Sequence, residues 1–150
     1  MQRLEVPTAA SMFDLGRRLG AELHSGDLVC LIGELGAGKT TLTQGIAHGL
    51  GIERPVTSPT FVTIKPYALG SGVDLYHVDL YRIDDKDYLD DQGILEELQR
   101  GAIVVVEWSD HARGLEEFSP LTISIAVVGE RRVLEFRGSQ IWEERLSWLA

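Results

Sequence analysis

Apolar residues change their spacing several times along the chain, and each change marks an element. Phe13, Leu15, Leu19 and Leu23 supply the apolar positions of a helix that starts at Thr8 or Ser11 and meets a natural stop at Gly26. The run Leu28-Val29-Cys30-Leu31-Ile32 then reads as a strand. From about Lys39 a second helix carries Leu42, Ile46, Ala47 and Leu50 on one side and ends at Gly49 to Gly51. Residues 60–67 predict a strand, Gly70-Ser71-Gly72 a turn, and Val73 to about Arg82 a second strand antiparallel to the first. In Asp84 to Asp91 six of eight residues are Asp or Lys, which predicts the solvated start of a helix that buries Ile94, Leu95 and Leu98. The unbroken apolar run Ile103-Val104-Val105-Val106 is that of a strand buried on both faces. Leu121 to Val128 and Arg132 to Arg137 form a hairpin around Gly129-Glu130, and Ile141 to Leu149 a terminal amphipathic helix. Together these elements predict an α/β sandwich with a central mixed, partly parallel sheet flanked by helices.

The loop after the first strand narrows this to a P-loop NTPase-like fold. Gly33-Glu34-Leu35-Gly36-Ala37-Gly38-Lys39-Thr40 satisfies G-x-x-x-x-G-K-[ST] between a strand and a helix. Glycines let the backbone turn tightly enough for its N–H groups to converge on phosphate oxygens. Lys39 adds a point charge there, and the Thr40 hydroxyl can ligate Mg²⁺.

Composition removes several classes of function. A chain of 150 residues fits one domain, spanning 1–150. Its 14 basic against 23 acidic side chains give a formal charge of −9, which opposes broad binding to nucleic acid or anionic membrane. A role on RNA is therefore expected to run through a partner. Cys30 is the only cysteine, so there is no second thiol for a disulfide or a metal-ligand set, and it reads as a small core residue. No run of 18 apolar residues occurs and residues 1–7 lack the apolar stretch of a signal peptide, so a soluble, cytoplasmic protein is expected.

A phosphate loop needs carboxylates to order a metal, and two apolar runs end in one. Leu75-Tyr76-His77-Val78-Asp79 ends in Asp79, and Val104-Val105-Val106-Glu107 ends in Glu107. Acids at the carboxyl ends of sheet strands face the crevice where open α/β sheets bind ligands, so both can reach the Mg²⁺ site. Strand alternation turns His77, Asp79 and Tyr81 one way and Val78 and Leu80 into packing. The polar set is thus clustered, although a lone histidine such as His77 reads as a satisfied structural residue with no direct part in catalysis. Val56-Thr57-Ser58-Pro59-Thr60-Phe61, a hydroxyl-rich turn stiffened by Pro59, stands where a segment sensing the γ-phosphate is expected.

The phosphate loop with Thr41, Ser58-Pro59-Thr60, His77-Val78-Asp79-Leu80-Tyr81-Arg82 and Val106-Glu107-Trp108 together closely resemble the bacterial TsaE proteins, also called YjeE. The order and spacing of these motifs span most of the chain, and the His-x-Asp-x-Tyr-Arg segment and the Glu-Trp pair are far more specific than the loop. The resemblance implies an ATPase, with ATP and Mg²⁺ as cofactors, that supports threonylcarbamoyladenosine synthesis in tRNA. It would act with TsaD and its scaffold partner TsaB, meet tRNA indirectly through that complex, and reset the complex between rounds.

Residue by residue, the resemblance places Glu34, Leu35, Gly36, Ala37, Gly38 and Thr41 around the nucleotide with Lys39 holding phosphates. Thr40 and Glu107 would order Mg²⁺, Asp79 would position metal or water, and Thr60 would report the γ-phosphate. Trp108 would lie at the edge of the site. Thr8 and a late arginine, Arg131 or Arg132, would touch base or ribose.

Two other classes stay open on the residues alone: a small nucleoside or metabolite kinase, and a nucleotide-dependent interaction module in which hydrolysis is incidental. A Ras-like GTPase is disfavoured because its guanine reader is Asn-Lys-x-Asp and the chain contains no asparagine. Among the arginines only Arg82 is near the expected γ-phosphate position, which predicts slow turnover by the chain alone.

Overall fold

A computed structural model describes residues 2–57 and 63–149. Seven strands form one sheet: β1 (Gln2–Val6), β2 (Leu28–Gly33), β3 (Ile64–Ala68), β4 (Asp74–Asp79), β5 (Ile103–Glu107), β6 (Leu121–Val128) and β7 (Arg131–Arg137). Their spatial order is β1-β7-β6-β2-β5-β4-β3. β2 runs parallel to both β5 and β6, and β4 parallel to β5. The pairs β1/β7, β6/β7 and β3/β4 are antiparallel, so the sheet is mixed with a parallel centre, as the alternation of elements predicts.

The helices are α1 (Ala9–Ala21), α2 (Lys39–Gly49), α3 (Tyr88–Asp91), α4 (Ile94–Gln99) and α5 (Gln140–Arg145). α1 and α2 cover one face of the sheet, packing Leu15, Leu19, Leu42 and Ile46 on Leu31, Leu75, Val105 and Ile123. α3 and α4 cover the other face only over β2, β5 and β4, through Leu89, Ile94 and Leu98 on Cys30, Val78 and Val106. This coverage explains the strand patterns. β5 is covered on both sides and is buried at every position, whereas Leu121, Ile123 and Ile125 of β6 are buried and the alternate Thr122 and Ser124 are not.

Several boundaries differ from those the pattern predicts. The pattern does not predict β1: Gln2-Arg3-Leu4-Glu5-Val6 alternates polar with apolar, but it becomes a strand only by pairing along β7. α1 starts after Thr8, whose Oγ1 accepts from Ser11 N at 3.1 Å while Ser11 Oγ accepts from Thr8 N at 3.0 Å, a reciprocal cap. It ends at Ala21, five residues before Gly26, and buries Met12 in place of the partly exposed Phe13. The second strand of the β3/β4 pair stops at Asp79, because Asp79 Oδ1 accepts from Tyr81 N at 2.9 Å and turns the chain. The acidic segment and its apolar continuation form two short helices, divided at Gly93 with φ +79°. The terminal helix gives way to a 3₁₀ turn at Ser147–Leu149. The expected strand start at residues 60–62 and the Ser58-Pro59-Thr60 segment lie outside the described residues.

α1 and α2 cross on four glycines. A Cβ at Gly16 would stand 2.4 Å from Leu42 O, at Gly20 2.2 Å from Ile46 O, at Gly45 2.2 Å from Phe13 O, and at Gly49 2.1 Å from Arg17 O. Only residues without a side chain let the two backbones approach this closely. The crossing locks the helix that opens at the phosphate loop against the helix that opens at Thr8.

Candidate nucleotide site

The phosphate loop leaves the carboxyl end of β2 at the centre of the sheet, the place where parallel strands deliver side chains to a shared crevice. It enters α2 through Gly38 at φ +108°, a conformation that a side chain disfavours and where a Cβ would also press on Met12 Cε at 3.1 Å. Lys39, 5% exposed, folds back over the loop: its Nζ donates to Gly33 O and, at 2.9 Å, to Glu34 O. The ammonium stands 4.2 Å from the centre of the Trp108 ring. Burial lowers the Lys39 pKa, and the nearby Glu107 and Asp79 oppose that shift in part.

Those acids arrive on adjacent strands in register. Asp79 pairs with Glu107 across the parallel β4/β5 ladder, and both project to the α1 and α2 side of the sheet. Glu107, 3% exposed, accepts from Thr40 Oγ1 at 3.5 Å through Oε1 and from His77 Nε2 at 2.5 Å through Oε2. Asp79 is pushed up from the usual carboxylate value, first by burial and further by Glu107, while the Tyr81 backbone N–H pulls it back down.

β5 ends by placing Trp108 in a left-handed conformation (φ +61°), an uncommon one for a bulky residue. That turn lays the indole between Lys39 and the Tyr81 ring, whose centroid is 5.0 Å away. His111 Nδ1 donates to Leu80 O at 2.7 Å and joins this wall with its ring 5.7 Å from Trp108.

A cleft of about 610 Å³ is lined by Leu35, Gly36, Gly38, Lys39, Thr40 and Thr41 on the loop side and by Asp79, Tyr81, Arg82, Glu107 and Trp108 on the strand side. A second hollow of about 250 Å³ shares Gly36, Gly38 and Thr41 with it and continues along Thr8, Ala37, Met12 and Arg132. The structure thus gathers Leu35, Gly36, Gly38, Lys39, Thr40, Thr41, Asp79, Glu107 and Trp108 at one cleft and Thr8, Ala37 and Arg132 at its extension. Glu34 joins through its carbonyl. Of the two arginines considered, Arg132 is the one at the hollow, donating to Ala37 O at 3.2 Å and Gly36 O at 3.4 Å. Arg131 pairs instead with Glu5 at 3.5 Å. Thr60 lies outside the described residues.

Two contacts at the site are not legible in local pattern. His77 is a buried histidine, as its structural reading expects, and its partner is Glu107 itself. Met12 underlies Gly38, on a helix face that an apolar pattern built on Phe13 does not reveal. Period-two alternation places His77 on the face of Asp79, but its contact with Glu107 is set by the pairing of β4 with β5.

Oxygen donors from Thr40, Glu107 and Asp79 suit a hard cation such as Mg²⁺. Among the described residues no group of three or more His, Cys, Asp or Glu side chains could hold a metal unaided.

Comparison with known proteins gives this geometry a family. Residues 6–133 match the family model for the threonylcarbamoyl adenosine biosynthesis protein TsaE. The chain is 33% identical over 135 residues to the tRNA threonylcarbamoyladenosine biosynthesis protein TsaE of Haemophilus influenzae, covering 87% of this chain and 85% of that one. It is 49% identical over 104 residues to the protein of the same name from Streptomyces coelicolor, covering 66% and 68%. The crystal structure of Bacillus subtilis YdiB superposes with a TM-score of 0.77 at 29% identity, covering 99% of this chain and 93% of that one. With a nucleotide-binding fold and a loop, acid pair and tryptophan arranged as described, the chain belongs to the TsaE family, whose members take part in the biosynthesis of threonylcarbamoyladenosine in tRNA.

Proposed function

We propose that the chain binds ATP with Mg²⁺ in this cleft and hydrolyses it in support of tRNA threonylcarbamoylation, working with TsaD and TsaB. The observation that carries this reading is the meeting of Thr40 and Glu107 at 3.5 Å beside Lys39, where strand ends and phosphate loop converge. Mg²⁺, when bound, would neutralise phosphate charge, with Thr40 and Glu107 as its protein oxygens and Asp79 nearby to orient metal or water. Lys39 supplies a fixed positive charge, and the backbone N–H groups entering α2 face the same phosphates. The Trp108 and Tyr81 rings wall one side and limit the water that reaches the reacting group. The hollow beside Thr8 and Arg132 has the position of a base and ribose site.

Among the described residues Arg82 is the only arginine lining the main cleft. An arginine aimed at the transferred group is worth roughly 10³ to 10⁵ in rate, so the chain alone turns over slowly and its partners quicken it. Leu35, 65% exposed, and Tyr81, 44% exposed, stand on the lip of the cleft where a partner would meet the nucleotide. Contact with tRNA is indirect on this reading, supported by the charge of −9 and by Arg113, Arg131 and Arg137 each pairing with an acid. Among the described residues no helix is long and apolar enough to cross a membrane; on this reading the site of action is the cytoplasm.

Two variants test the proposal. Lys39→Ala weakens both ATP binding and phosphate release, whereas Glu107→Ala spares binding at saturating Mg²⁺ and abolishes release. If Glu107→Ala supports full tRNA modification with TsaD and TsaB, hydrolysis is not the working step and an interaction module replaces the ATPase. Transfer of labelled phosphate to a nucleoside, with none released to water, would instead establish a kinase.

A further inference from the structure

Glu107 is held by a residue that lies outside the phosphate loop. The His77 side chain is fully buried, and its Nε2 is 2.5 Å from Glu107 Oε2. A carboxylate accepts, so Nε2 carries the hydrogen that is donated to Glu107. Nδ1 is buried with no hydrogen-bond partner among the described residues, which leaves Glu107 as the polar group that the ring addresses. Leu75, Ile103 and Val105 form the apolar row on this side of β4 and β5, and His77 stands where the row gives way to Asp79 and Glu107. A buried imidazole is costly in such a row unless a hydrogen bond compensates it, and the bond to Glu107 is the compensation present.

We propose that His77 is a positioning residue which fixes Glu107 Oε2 and thereby keeps Oε1 turned toward Thr40 and the metal-phosphate group of a bound nucleotide. The inference rests on the reading of the cleft as a Mg-ATP site. Outer contacts of this kind set the orientation of a metal-binding carboxylate, and removing them typically lowers metal affinity or activity by about 10- to 100-fold. Lys39 is the cation that already attracts Glu107. Released from His77, the carboxylate turns toward that ammonium, and the two charges cancel instead of serving metal and phosphate.

The test compares His77→Leu, which removes the donor, with His77→Gln, which returns an N–H near the position of Nε2. Binding of a fluorescent ATP analogue is measured across a Mg²⁺ titration and in EDTA, beside phosphate release. For His77→Leu we expect EDTA affinity within about threefold of the parent, a Mg²⁺ midpoint raised about tenfold or more, and release lowered by about 10- to 100-fold. His77→Gln recovers most of both losses. In a Glu107→Ala background His77→Leu changes the Mg²⁺ midpoint no further. An unchanged midpoint in His77→Leu, or equal losses in the Leu and Gln variants, overturns the proposal. Should His77→Leu fail to fold, the ring ¹⁵N spectrum of the parent decides: an Nε2–H tautomer that is lost in Glu107→Ala supports the proposal, and an Nδ1–H tautomer in the parent overturns it. Failure of the hydrolysis reading looks different, because the parent itself then releases no phosphate while Mg²⁺-dependent binding and the tautomer still report on His77.

Discussion

Gly45→Ala puts the crossing of α1 and α2 to a quantitative test. The added methyl would lie 2.2 Å from Phe13 O and 2.9 Å from Gly16 Cα, both on the backbone of the facing helix. Neither obstacle can rotate away, so the helices must part by roughly 1 Å in a core packed as densely as a crystal. Two effects oppose each other. Alanine is the better helix former by about 1 kcal/mol, whereas overpacking costs about 1–3 kcal/mol, at the upper end when the clash is with backbone. The clash wins, leaving a net loss of about 1–2 kcal/mol, or about 2–8 °C in Tm for a domain of this size. Because α1 brings Thr8 and Met12 to the second hollow, nucleotide affinity falls with it. The assay is thermal and urea unfolding by circular dichroism, with Gly114→Ala as comparator. Gly114 has φ +80° and open space around it, so that change costs only the left-handed conformation and leaves nucleotide affinity alone. A Gly45→Ala variant that melts at or above the parent temperature would refute the packing argument.

Thr8→Ala removes the reciprocal cap with Ser11, costing about 1 kcal/mol, and Thr8→Ser restores it in the same melts. The Cys30 thiol, pushed up to about 12 by burial, resists thiol reagents in the native protein at pH 8 and is modified only as fast as the chain unfolds. Above about pH 9 the unfolded thiol ionises while the folded one does not, so its contribution to stability is lost as pH rises; rapid labelling in native buffer would contradict this burial. Asp79, raised by burial, favours the fold most when protonated, and that contribution is lost as pH rises through its folded pKa. Asp79→Asn therefore melts above the parent at pH 7, by a margin that shrinks toward pH 4, while phosphate release falls; an equal margin at both pH values would count against a raised Asp79.

Much of this arrangement is legible from local pattern. Four consecutive apolar residues at Ile103 to Val106 mark β5, and only a strand covered from both sides needs them. The loop motif and the acids closing two apolar runs place Lys39, Thr40, Asp79 and Glu107 together because parallel strands end on one side of a sheet. What escapes local reading depends on partners distant in sequence. β1 exists as a strand through its pairing with β7, some 130 residues away. The choice of Met12 over Phe13 is made by Gly38 and the sheet beneath α1. Gly16, Gly20, Gly45 and Gly49 look like weak points in two helices until the helices are seen to touch there. His77 shows its side of the strand in the sequence, but its contact spans 30 positions and two strands.

Phosphate release from Mg-ATP, followed for the chain alone and then with TsaD, TsaB and tRNA, tests the central claim most directly. Slow release that rises when the partners are added, and that disappears in Glu107→Ala, is the predicted result. Release that is absent throughout, or fast from the outset and indifferent to the partners, would contradict a partner-stimulated ATPase built around Lys39, Thr40 and Glu107.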